Sequence, residues 1–260
     1  MKLISYVAII VFFITPRSSY SFDKIGHRVC ADIAQHLLSD KSQKKINELL
    51  GSETMAEAST YVDEMRSNPD EFWQKKSTAF HYVTVPDDTT YLKVGAPKQG
   101  DAMTALTHYS TVLLDTKAQH DDQVLALKFI IHIIADLHQP LHVGNGNDRG
   151  GNDVKIKNFG HFTNLHHVLD TELIDSQKLS YTEWSDWLRR KISQQEITLW
   201  SHSTPLDWIA ESKEIRLKIY PKSQKIGWDY QYQNLPIIKK RMEQAGLRIA
   251  SYLNGLFDKS

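Results

Sequence analysis

Apolar residues recur at spacings of three and four along most of the chain, the period of helices that bury one face. His27 to Leu38 carries Val29, Cys30, Ile33, Ala34 and Leu37 on one stripe. Lys41 to Leu50 follows Ser39-Asp40, a pair suited to capping a helix start. The same period predicts helices over Asp101–Leu114, Gln123–His138 (stopped by Pro140), Asn164–Ile174, Tyr181–Ile192 and Pro205–Lys218. A last helix begins at Pro236 and aligns Ile238, Met242, Ala245, Ile249, Leu253 and Leu256. Strand-type alternation is thin. Val154–Ile156, between Gly150-Gly151 and Asn158-Phe159-Gly160, reads as part of a short hairpin. Pro86–Gly100 and Tyr220–Pro236 read as loops. The expectation is a mainly α, single compact helical domain with at most a short β-hairpin.

The first 21 residues stand apart. Lys2 gives a positive start, Leu3 to Thr15 is a nearly unbroken apolar run, and Ser19-Tyr20-Ser21 is a small-x-small cleavage site. This is the pattern of a secretory signal, and the run is too short for a membrane span. The expected mature domain is therefore 22–260, in a secreted or periplasmic setting. The whole chain balances 31 Lys+Arg against 31 Asp+Glu. Residues 1–21 hold Lys2 and Arg17 and no acid, so the mature chain has two more acids than bases. No global positive field draws in a polyanion; any phosphate must be held by local charge. The single cysteine, Cys30, excludes an internal disulfide framework and lies among apolar neighbours, as a core residue does.

Histidine is the abundant residue, at 12, and its placement is uneven. His132 and Asp136 are i and i+4, as are His166 and Asp170, so each pair projects from one helix face about one turn apart. Two ligands one turn apart can grip one metal ion. His142 lies just past the Pro140 break, where a turn can return it to the same cavity. These donors favour zinc, although manganese and iron accept them too.

The segment His132-Ile133-Ile134-Ala135-Asp136-Leu137-His138-Gln139-Pro140-Leu141-His142 resembles the signature of the secreted zinc-dependent nucleases. These comprise the fungal single-strand-specific enzymes and the plant bifunctional nucleases, with bacterial phospholipase C as a distant relative. The resemblance covers nearly the whole mature chain. It takes in Ile25-Gly26-His27, Ala58–Arg66 around Asp63, Phe80-His81-Tyr82, Arg149-Gly150-Gly151-Asn152, Asn164-Leu165-His166 with Asp170, and Ala245–Ala250.

The resemblance implies a mainly helical fold and three zinc ions. One would be held by Asp63, His81, His132 and Asp136. A second would share Asp136 and take His27 with the amino group and carbonyl of Phe22, where relatives usually have Trp. Only cleavage after Ser21 frees that amino group for a metal. The third would be held by His142, His166 and Asp170. Three such ions against three carboxylates leave roughly +3 in one cleft, enough to attract a phosphodiester. Arg66 is implied as a phosphate clamp alongside the catalytic Asp63 and Asp136. Tyr82 is the expected stacking ring for an unpaired base. Relatives often carry an acid where this chain has Thr84, so base preference is open. Gly150, Gly151 and Asn152 either line the base pocket or shape a turn.

The activity implied is hydrolysis of single-stranded DNA and RNA to 5′-phosphate products, with 3′-nucleotidase activity and no stable protein partner. A zinc-dependent phospholipase C is the alternative enzyme, and a non-catalytic zinc-binding protein the alternative outside enzymes. His138 reads as a structural or supporting residue. His36, His108, His120, His161, His167 and His202 read as surface or packing residues, and the tryptophans mainly as core.

Overall fold

The computed structural model describes residues 24–258. The expected signal segment and Phe22 lie outside the described residues. Eight longer helices dominate: α1 (Lys24–Gln35), α2 (Asp40–Leu50), α3 (Ala102–Leu114), α4 (His120–His138), α5 (Tyr181–Arg189), α6 (Gln194–Ser201), α7 (Pro205–Ile219) and α8 (Trp228–Phe257). The mainly α expectation holds. No helix among the described residues is long and apolar enough to cross a membrane.

The helix starts are written in local chemistry. Ser39 accepts from the Ser42 amide at the head of α2, and Asp101 accepts from Thr104 at the head of α3. Ser180, Ser193 and Thr204 each form a reciprocal capping box with an acid three residues on. The helix over Gln194–Ser201, not anticipated from the apolar period, is declared by that box alone.

The last helix departs from expectation. It starts at Trp228, not Pro236, which sits inside it. Proline removes one intrahelical hydrogen bond, to the carbonyl four residues earlier. That residue is Tyr232, which is largely exposed, so water can serve the carbonyl.

At the centre lies α4. From Ala126 to His138 every residue is buried, so the helix is covered on all sides. It packs against α1, α2, α3, α7 and α8. An aromatic stack, Tyr109 on Phe129 at 4.1 Å and Trp73 on Phe129 at 5.7 Å, fastens α3 and the segment before His81 to it.

The sheets exceed a lone hairpin. β3 (Lys155–Asn158) and β4 (His161–Asn164) form the expected antiparallel hairpin, displaced slightly from Val154–Ile156. A third strand, β5 (Lys225–Ile226), joins β3 in parallel from within the expected Tyr220–Pro236 loop. Separately, β1 (Val83–Thr84) and β2 (Val143–Gly144) pair in parallel, Val83 with Val143 and Thr84 with Gly144. Two residues per strand are too short to leave a periodic signal, yet this pair joins the segment after His81 to the segment after His142.

Candidate metal centre

Eight side chains from six stretches of sequence meet at the inner end of α4. His27 comes from α1, Asp63 from the short helix Tyr61–Glu64, and His81 from the 3-10 turn Ser77–His81. His132 and Asp136 project from α4 itself, and His142 from the turn Pro140–His142. His166 and Asp170 follow β4 on a helical stretch whose middle is a π-helical turn, Val168–Glu172. All eight are buried. Their donor atoms form three compact groups: His27, His132 and Asp136; Asp63, His81 and His132; and His142, His166 and Asp170.

The carboxylate of Asp136 faces two ways. Its Oδ1 lies 3.3 Å from His27 Nε2, while Oδ2 lies 3.0 Å from His81 Nδ1 and 3.2 Å from His132 Nε2. The His27 ring stacks on His132 with centroids 3.9 Å apart.

Three imidazoles have their tautomers dictated by backbone carbonyls, which can only accept. His132 Nδ1 donates to Ser59 O at 2.8 Å, His142 Nδ1 to His81 O at 2.7 Å, and His166 Nδ1 to Gly150 O at 2.7 Å. In the neutral form each ring then turns an Nε2 lone pair inward. His166 Nε2 faces Asp170 Oδ2 at 2.7 Å, and His132 Nε2 faces His81 Nδ1 at 3.0 Å. Lone pairs that close need a proton or a cation between them. Asp63 Oδ2 and Asp170 Oδ2 are moreover buried and make no hydrogen bond. Imidazole oriented by a backbone carbonyl, with buried carboxylate beside it, is the donor chemistry of a metal site, and the residues fit one.

Electrostatics point the same way. Burial raises the carboxyl of Asp136, but His132 and His142 outweigh it and hold the group well below its usual range. Asp170 is likewise held low: burial opposes, and His166 leads the groups that prevail. Asp63 is lowered against burial by His132 and Arg66. Burial, aided by Arg66, pulls His81 down to about 4. His142 goes the other way, to about 9, because Asp136 and Asp170 overcome the effect of burial.

An open cavity of about 610 Å³ lies over the His142–His166 side, lined among others by Arg66, Tyr82, Thr84, Arg149 and Asn152. Arg66 places a guanidinium nitrogen 3.1 Å from Asp63 Oδ1. Tyr82 is 43% exposed, a wall of the cavity and not core. Asn152 lines the cavity while its amide donates to Arg149 O at 2.9 Å, so it also belongs to the turn. Gly150 is needed for closeness. With φ at +60°, a Cβ there would lie 2.5 Å from Leu141 O.

Sequence reasoning missed Trp73, Gln74 and Thr78 on the cavity wall. Gln74 donates to the carbonyls of Arg66 at 2.8 Å and Asn68 at 2.6 Å, which holds the Arg66 segment. Nothing in its spacing announced that. His138 belongs to the contact between α4 and α8. Its Nδ1 donates to Ile134 O at 2.7 Å, and Arg248 approaches its Nε2 at 3.0 Å. Burial, then Arg241 and Arg248, keep it neutral. His36, His108, His120, His161 and His202 are exposed and His167 is half-buried. Four tryptophans are core; Trp187 and Trp228 are exposed.

The chain is also similar in sequence to known proteins. A sequence model of the S1/P1 Nuclease family matches residues 22–258. Endonuclease 2 of Arabidopsis thaliana is 27% identical over 92% of this chain and 91% of its own length. Nuclease S1 of Aspergillus oryzae is 24% identical over 91% and 92%, respectively. Nuclease P1 of Penicillium citrinum is 28% identical over 67% and 68%.

Proposed function

The chain belongs to the S1/P1 nuclease family and is a hydrolase acting on nucleic acids; from that premise we propose a secreted three-zinc phosphodiesterase. It cleaves single-stranded DNA and RNA to leave 5′-phosphates, and also acts as a 3′-nucleotidase. The observation that carries this reading is the convergence of eight buried His and Asp side chains. Asp63, His81, His132 and Asp136 would hold one ion. His27 and Asp136, with the amino group and carbonyl of Phe22, would hold another, and His142, His166 and Asp170 the third. The mature domain is 22–260, released by cleavage after Ser21.

Zinc, when bound, supplies Lewis acidity toward the phosphate and activates water near neutral pH. The chain's own residues do the rest. Asp136 serves two groups at once, because one oxygen meets His27 and the other meets His81 and His132. Arg66, beside Asp63 at the cavity, clamps a non-bridging phosphate oxygen with a planar, permanently charged donor. Tyr82 offers an exposed ring on which an unpaired base can stack, and Asn152 a polar contact in the same cavity. A base held in a duplex cannot splay out to reach that ring, which gives the preference for single strands.

The test is a mature protein beginning at Phe22, assayed for zinc content and for cleavage of one DNA sequence as single strand and as duplex. The expected result is about three zinc per chain, faster cleavage of the single strand, and loss of activity with chelation. Undiminished cleavage in excess chelator overturns the reading.

A further inference from the structure

We propose that Gln139 is a positioning residue that decides which oxygen Asp170 presents to its metal ion. The inference rests on the reading that His142, His166 and Asp170 hold an ion. Gln139 is fully buried between the end of α4 and the Pro140–His142 turn. Its amide ends are fixed by chemistry. The Leu141 backbone N–H can only donate, so the atom that receives it is Oε1. The amide nitrogen therefore faces Asp170 and donates to its Oδ1.

That bond divides the carboxylate. Oδ1 is committed to Gln139. Oδ2 is buried, makes no hydrogen bond, and faces His166 Nε2 at 2.7 Å and His142 Nε2 at 3.9 Å. Asp170 thus offers the His142–His166 space one oxygen, not two. One-oxygen ligation leaves a coordination position that a two-oxygen grip would fill, and an open position is what a catalytic ion needs. The same side chain pins the turn from which His142 projects, since its Oε1 holds the Leu141 amide. One amide therefore sets two of the three proposed ligands, His142 beside it in the chain and Asp170, which lies 31 positions beyond Gln139.

Two variants test this. Gln139→Met keeps the length of the side chain and removes both hydrogen bonds. Gln139→Glu keeps the acceptor for Leu141 and removes the donor to Asp170, so it decides the matter if Gln139→Met fails to fold. Zinc per chain is measured at a series of buffered free-zinc concentrations, with His166→Ala marking loss of this one ion. Both Gln139 variants should bind that ion about 10- to 100-fold more weakly while keeping the others. At saturating cobalt, their visible spectrum should also differ from the unsubstituted protein's in the bands that His166→Ala removes. If His166→Ala loses no ion, the ligand assignment itself fails. If His166→Ala loses one and both Gln139 variants bind it with unchanged affinity and spectrum, the inference is overturned.

Discussion

Arg66 commits part of its guanidinium to Asp63 while 28% of its side chain is exposed at the cavity. A lysine there would keep the charge and lose the fork. Arg66→Ala should lower kcat about 100-fold or more, Arg66→Lys should recover only part of it, and both should keep full zinc content. Steady-state kinetics with metal analysis check this; unchanged kcat in Arg66→Ala would remove the clamp. His142 offers a second prediction at this scale. In the metal-free protein its imidazole is pushed up to about 9, so at pH 7 it holds a proton that a metal must expel. Affinity at the His142 group should therefore fall as pH drops below about 9, and zinc binding at pH 7 should release protons. Calorimetry in buffers of different ionisation enthalpy reads that release directly. Binding heats independent of the buffer would contradict the assignment. Cys30 needs no chemistry of its own: it is fully buried in α1 and burial pushes its thiol up, so it stays protonated.

Among the elements, α1 and α8 approach closely at Gly246. A Cβ there would lie 2.5 Å from Ile33 Cγ2 and 3.0 Å from the Cys30 carbonyl. Gly246→Ala should destabilise the fold by about 1–3 kcal/mol despite alanine's better helix propensity, and displace the helix that carries His27. Thermal unfolding reports the first effect; an unchanged or raised Tm would show that the interface yields. Element legibility followed burial. The stripes of α1 and α8 read cleanly because they bury one face, and α4 was legible because Pro140 ends it. The start of α8 was misread because Pro236 looks like a first-turn residue, whereas Trp228 and Tyr232 ahead of it are exposed and add no apolar period. The strands β1, β2 and β5 are too short to alternate.

Over the whole molecule, residues distant in sequence are drawn together by contacts that carry no local pattern. Arg216, buried in α7, donates to the carbonyls of Val85 and Val143 and pairs with Asp87. It staples the ends of β1 and β2, and so the segments bearing His81 and His142. Arg216→Met should destabilise the protein by about 3 kcal/mol or more, since it strands two buried carbonyls, and loosen metal binding with it. A variant with wild-type Tm and zinc content would show that the β1–β2 pair stands unaided. The His and Asp donors were legible in advance because helical spacing and motif order name them. Gln74, Gln139 and Arg216 were not, because their partners lie on the folded backbone and not in the sequence around them. The measurement that bears most directly on the account is an anomalous-scattering map of mature crystals at the zinc absorption edge. Three peaks are expected: one among Asp63, His81, His132 and Asp136, one between His27 and Asp136, and one among His142, His166 and Asp170. An active, zinc-replete protein with its peaks elsewhere, or with none among these residues, would contradict it.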